Sequence, residues 1–169
     1  AVPRKTDAGI AERRNVKSCC RCHIKEVLLM EIAVIYWSGT GNTKMMAEAV
    51  AEGIAEAGAQ AVVKSVSEIT PDEAAAYDKI AFGCSAMGAE VLEETEFEPF
   101  FTMVEDNLKG KKVVLFGSYG WGGSYMQDWE ARVQADGAEL LHPGVLAMGE
   151  PDDAARQECK EIGSLLAKA

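Results

Sequence analysis

Histidine is nearly missing from this 169-residue sequence: only His23 and His142 carry an imidazole. Neither stands in a Ser/His/Asp or Cys/His pattern that would build a nucleophilic site. No apolar run approaches the roughly 18 residues that mark a membrane-spanning helix, and no signal-peptide core or lipidation pattern is evident. Basic residues are scarce after position 29, where ten Lys/Arg face 24 Asp/Glu, a balance that repels nucleic acid and anionic membranes at long range. The phosphate-binding pattern G-x-x-x-x-G-K-[ST] is absent, and Lys44 stands where a dinucleotide fingerprint needs its third glycine. The third strand predicted below ends in Cys84-Ser85 and not in a phosphorylatable Asp, which argues against a phosphoacceptor signalling module.

What remains is an ordinary globular composition, 48% hydrophobic and 26% charged, of a length that suits one domain with a full core. Residues 1–29 differ from the rest: seven Lys/Arg against three Asp/Glu give +4, whereas residues 30–169 carry −14. They lack apolar periodicity, so a disordered leader, upstream-translated or added, is expected there, with Met30 as the natural start. Cys19-Cys20-Arg21-Cys22-His23 contains the C-x-x-C-H spacing of a haem attachment site and three potential thiolate ligands, a weak signal without a folded context, and no metal is expected. Cys84 and Cys159 fall on apolar positions and read as buried core thiols, consistent with a reduced, cytoplasmic protein.

From Glu31 the chain alternates strand and helix. Ile32 to Trp37 is almost continuously apolar, as befits a strand covered on both faces. Met46, Val50, Gly53, Ile54 and Ala57 form one stripe of a helix over 43–57, stopped by Gly58. Strands are predicted over 61–66, 79–84 and 112–116, with Thr70 as a possible N-cap of a short helical turn. A helix is expected over 99–108 and another around Met126, Trp129 and Val133. The fifth strand, from Glu139 through His142-Pro143 to Met148, is placed at an edge by its proline, and a last helix from Asp152 buries Ala155, Cys159, Ile162 and Leu166. This alternation predicts a doubly wound α/β fold with a parallel sheet.

Three unusual loops follow three of the strands, at the carboxyl ends where such sheets bind ligands. Ser38-Gly39-Thr40-Gly41-Asn42-Thr43 offers hydroxyls, an amide and two glycines ahead of a helix N-terminus, a setting for a phosphate, or for a plain helix cap. Ser85-Ala86-Met87-Gly88-Ala89-Glu90 brings a polarizable thioether and a carboxylate that suits a ligand N–H, although a methionine there also serves simple packing and a glutamate simple solvation. Gly117-Ser118-Tyr119-Gly120-Trp121-Gly122-Gly123 deprives Trp121 of packing support, so the indole is expected at the surface, open to a planar ligand, unless it folds back onto the core.

These three segments, together with Glu90-Val91-Leu92-Glu93-Glu94 and Glu98-Pro99-Phe100, resemble the FMN loops and flanking motifs of short-chain flavodoxins of the clostridial type, in the family's order and across residues 30–169. The resemblance implies a flavodoxin-like, doubly wound five-stranded parallel sheet of strand order 2-1-3-4-5. It implies FMN as cofactor, with Ser38, Gly39, Thr40, Gly41, Asn42, Thr43 and Ser85 around the phosphate and Met87 and Trp121 flanking the isoalloxazine. Glu90 would meet the pyrimidine edge, with Ala86, Gly88, Ser118, Tyr119, Gly120 and Gly122 completing the two ring loops. Three departures stand out: Ala89 where some relatives have Asp or Ser, Gly149 where an Asn often reaches the ribityl chain, and one residue fewer after Trp121 than in some members.

The implied function is low-potential, ferredoxin-like one-electron transfer between the semiquinone and hydroquinone states of bound FMN. In the family the peptide after the methionine flips on reduction so that a carbonyl accepts flavin N5–H, and a glycine at 88 suits that turn. A monomer that meets redox proteins with basic docking faces is expected, with no nucleic-acid or membrane partner. The alternative is an FMN-dependent NAD(P)H reductase on the same fold, although neither extra loops nor a nicotinamide pocket is legible.

Overall fold

The structure, a computed structural model, describes residues 30–169; the Cys19 to His23 cluster and the expected leader lie outside the described residues. The elements run β1 (Glu31–Trp37), α1 (Asn42–Glu56), β2 (Gln60–Ser65), α2 (Pro71–Ala75), β3 (Lys79–Cys84), β4 (Ala86–Met87), β5 (Val91–Leu92), α3 (Phe97–Glu105), β6 (Lys112–Tyr119), α4 (Tyr125–Ala135), β7 (Glu139–Leu140), β8 (Val145–Met148) and α5 (Asp153–Lys168).

The main sheet has the order β2-β1-β3-β6-β7, with β8 also on β6, and every pairing in it is parallel. This is the five-position order 2-1-3-4-5 with the last position split in two. The break falls where sequence put an edge strand: Glu139 and Leu140 pair with Lys112 and Val113, the chain leaves the ladder through His142-Pro143, and Val145–Met148 rejoins opposite Phe116–Tyr119. Proline has no N–H to donate, so the ladder cannot continue through it.

Side chains along β1 alternate between two cores, as the two-residue period of a strand requires. Ile32 and Val34 pack with Met46, Val50 and Ile54 of α1 and Cys159, Ile162 and Leu166 of α5. Ala33 and Ile35 pack on the opposite side with Phe82, Phe97, Phe101 and Trp129. There α3 and α4 are tied by Arg132, whose guanidinium lies 5.0 Å over the Phe101 ring and donates to Glu105 at 2.5 Å and Glu98 at 2.6 Å.

Two local features differ from the sequence reading. The segment after β3 is a short antiparallel hairpin, Ala86 opposite Leu92 and Met87 opposite Val91. Helix α3 begins at Phe97, so Pro99 occupies its first turn, where the missing N–H costs nothing. The expected Thr70 cap is present as a full capping box with Glu73.

Candidate functional site

Register places the three loops at one end. Trp37, the last residue of β1, pairs with Cys84, the last of β3, and Gly83 pairs with Phe116, so β6 runs on three residues to Tyr119. The first two loops therefore leave the sheet side by side, while the third departs one step higher beside β8.

The first loop folds back on itself where Ser38 Oγ accepts the Gly41 N–H at 3.0 Å. Gly41 has φ +94°, a conformation strained for residues with a Cβ, and as N-cap of α1 it supplies no side-chain oxygen to the helix. The first turn of α1 holds no Asp or Glu in a chain with 27 of them. An anion at this helix end would meet free amides and no opposing carboxylate.

Beneath the loops three hydroxyls meet. Thr43 Oγ1 lies 2.6 Å from Ser85 Oγ and 3.1 Å from Ser118 Oγ, and the two serine oxygens are 3.1 Å apart. All three residues are buried. One residue from each loop segment thus enters a closed hydrogen-bonded triangle, which fixes the loops against one another. The family resemblance put Thr43 and Ser85 at one phosphate; that Ser118 bonds to both is a tertiary fact.

The other side of the site carries exposed apolar groups. Trp121 is 86% exposed and Met87 45%, flanking a cleft of about 120 Å³ lined by Ala86, Met87, Gly88, Glu90, Gly120 and Trp121. Gly88 has φ +55° at the hairpin tip. Glu90, the sole non-glycine at positive φ among the described residues, spends one carboxylate oxygen inside the protein: Oε1 accepts the N–H groups of Trp121 at 3.0 Å and Gly122 at 2.6 Å. It links the second loop to the third, leaving Oε2 as the oxygen that would meet a ligand N–H. A larger recess, about 670 Å³, runs along β2 and α2 from Met30 and Lys79 to Glu68, and none of the three loops lines it. Convergent chemistry, and not volume, marks the site.

Two supports were hidden in the sequence. Glu93 looked like one member of a solvated acidic run, but it is 6% exposed and its carboxylate accepts the N–H groups of Thr95, Glu96 and Phe97 at 2.8 to 2.9 Å, capping α3 just behind the hairpin. Burial pushes its pKa up, yet these backbone donors outweigh that and hold it below the ordinary 4.5. A depressed carboxyl pKa contributes stability that is complete above the unfolded value and disappears as pH falls through the folded one. The acid limb of the stability curve below about pH 4.5 is therefore expected to be shallower in Glu93→Gln, as read by urea midpoints against pH; superimposable limbs would contradict this. Tyr125 is the other support, buried with its hydroxyl between β3 and β6.

Comparison with known proteins gives the same answer. The flavodoxin family profile matches residues 34–163. The chain belongs to the flavodoxin family. It is 47% identical over 135 residues to the flavodoxin of Clostridium beijerinckii, spanning 79% of this chain and 97% of that one. Identity to the flavodoxin of Megasphaera elsdenii is 45% over 140 residues, covering 82% and 99%. The solution structure of two-electron reduced Megasphaera elsdenii flavodoxin superposes with a TM-score of 0.76 over 82% of this chain and 99% of that one, at 44% identity. Flavodoxins are FMN-binding electron carriers, and the family's activity is electron transfer, not catalysis. The free amides at the head of α1, the small Gly39 and Gly41, and the exposed Trp121 and Met87 all fit such a group.

Proposed function

We propose that this flavodoxin is a low-potential one-electron carrier that holds FMN across its three loops and passes electrons between proteins with basic docking faces. The observation that carries the reading is the convergence of an anion-ready helix end, a hydroxyl triangle and an exposed Trp/Met pair at one end of the sheet. FMN, when bound, supplies reversible one-electron chemistry.

Each side chain then has a task. Ser38, Gly39, Thr40, Gly41, Asn42 and Thr43, with Ser85, would hold the phosphate through backbone N–H and hydroxyl groups. Met87 and Trp121 would cover the ring faces and exclude water, while the peptides at Ala86, Gly88, Ser118, Tyr119, Gly120 and Gly122 would present polar groups to its edge. Glu90 orients the third loop through Oε1 and would offer Oε2 to a ring N–H.

The −14 charge of residues 30–169 bears on potential and on partners. One carboxylate about 12 Å away at an effective dielectric near 20 disfavours an added electron by roughly 1.4 kcal/mol, about 60 mV. Salt screens that repulsion, so the second one-electron potential is expected to rise with ionic strength in an anaerobic titration; a flat response would contradict it. The same charge favours partners with basic faces. The alternative of an NAD(P)H-dependent reductase has no support, since the flavodoxins matched here are covered almost end to end, 97% and 99%.

We assign the flavin-binding unit to residues 30–169, around the family match, and expect it to act as a monomer. No helix among the described residues is long and apolar enough to cross a membrane. Cytoplasmic residence agrees with free, buried Cys84 and Cys159, the latter pushed up to about 12 by burial. The deciding experiment is a visible spectrum of the protein mixed with FMN, followed by anaerobic reductive titration. Two resolved one-electron steps are expected; failure to take up FMN would refute the proposal.

A further inference from the structure

Tyr125 is not among the residues that the family resemblance places against FMN, yet it sits directly under two of the flavin loops. Its side chain rises from the first turn of α4 and is 3% exposed. The hydroxyl donates to the Cys84 carbonyl at 3.0 Å, with the Ser118 carbonyl 3.5 Å away on the same hydrogen. Cys84 is the residue before the 85–90 loop, and Ser118 precedes Tyr119-Gly120-Trp121.

The space for that hydroxyl is made by Gly117. A Cβ at 117 would stand 2.2 Å from the tyrosine oxygen and 2.2 Å from the Cys84 carbonyl oxygen, so any larger residue there would evict one or the other. The Cys84 side chain adds a second hold, its Sγ accepting the Glu93 N–H at 3.4 Å and its S–H donating to the Ser85 carbonyl at 3.3 Å. The hydroxyl triangle and Glu90 fasten the loops above this level, and Tyr125 fastens their roots below it. Burial, and after it the nearby Cys84 thiol and Glu90 carboxylate, disfavour ionisation of the phenol, so the donor persists across the working pH range.

We infer that Tyr125 is a positioning residue for the flavin site: through its hydroxyl it sets the spacing between the Met87 loop and the Trp121 loop, and thereby tunes the two one-electron steps without touching the ring. This rests on the FMN reading above. A shift in loop spacing acts differently on each redox state of an enclosed ring, because each state has its own charge and hydrogen-bonding demand, so the ratio of the two one-electron equilibrium constants is the sensitive readout.

Tyr125→Phe removes the hydroxyl and keeps the ring. In the apoprotein, amide exchange at Glu93, Trp121, Gly122 and Gly149, the last of which donates its N–H to the Tyr119 carbonyl at 3.0 Å, is expected to quicken by about fivefold, the effect of leaving a buried carbonyl one donor short. In the FMN-loaded protein the ratio of the two one-electron constants is expected to change by about threefold or more while FMN remains bound. Val133→Ala, a cavity on the same helix away from both carbonyls, serves as the comparison and is expected to lower the melting temperature without moving either readout. Unchanged exchange and an unchanged ratio in Tyr125→Phe would overturn the inference. Faster exchange with an unchanged ratio would overturn it too, since Tyr125 would then be only a structural tie, as would Val133→Ala reproducing both effects. If the unmodified protein takes up no FMN, the cofactor reading fails by itself, and the apoprotein exchange still decides whether the two loops are coupled through this hydroxyl.

Discussion

Replacing Thr43 by Val is expected to weaken FMN binding by about tenfold to a hundredfold while leaving riboflavin binding nearly unchanged. Valine keeps the shape and burial of Thr43 but deletes the hydroxyl shared with Ser85 and Ser118. The two serines stay bonded at 3.1 Å, so the triangle loses one corner without collapsing. A hydrogen bond to a charged group contributes about 1.5 to 3 kcal/mol, and the tenfold to hundredfold range corresponds to that contribution. Quenching of flavin fluorescence on titrating apoprotein measures both ligands. Riboflavin carries no phosphate, so equal weakening of the two would mean that Thr43 only shapes the loops, and the phosphate assignment would fail at that residue.

Trp129→Ala is expected to cost about 3 to 5 kcal/mol of folding stability and roughly 10 °C of melting temperature. Trp129 is 1% exposed and stands edge-on to Phe97 at 5.3 Å and Phe101 at 5.7 Å, while Phe101 in turn meets Phe82 of β3 edge-on at 5.3 Å. The indole thus joins α4 to α3 and, through one further ring, to the sheet. Its N–H has no hydrogen-bond partner among the described residues, so Trp129→Phe, which deletes that orphan donor and keeps an aromatic ring, is expected to be clearly milder. Urea unfolding of the three proteins is the check; equal losses for Phe and Ala would place the stabilisation outside the ring contacts.

The parts of the fold that sequence made legible are those with a local cause. The apolar run 32–37, the glycine stop at 58, Thr70 before Pro71 and Pro143 in a late strand each act through the backbone nearby, and the structure has an element or a break at each. The candidate site was legible in outline because its loops follow directly on strands whose parallel order forces their ends together. The supports of that site were not. Glu93 differs from Glu94 and Glu96 in its burial and in the three amides it caps, which depend on how the chain turns from Leu92 into α3. The hairpin itself has strands of two residues, too short for an alternation to register. Tyr125 and Gly117 are eight positions apart, and nothing local pairs a hydroxyl with the gap that receives it.

The split in the last strand position bears on self-association. A sheet edge invites another chain when it offers a long, flat row of unpaired amides and carbonyls. On the β7/β8 side that row is interrupted: two residues, a departure from the ladder through Pro143, then four more. A second copy could not pair along it in one register, so among the described residues of the main sheet the edge left for strand-by-strand stacking into dimers or fibrils is β2. That strand is the continuous edge at the other side of the sheet, with Lys64 in its row.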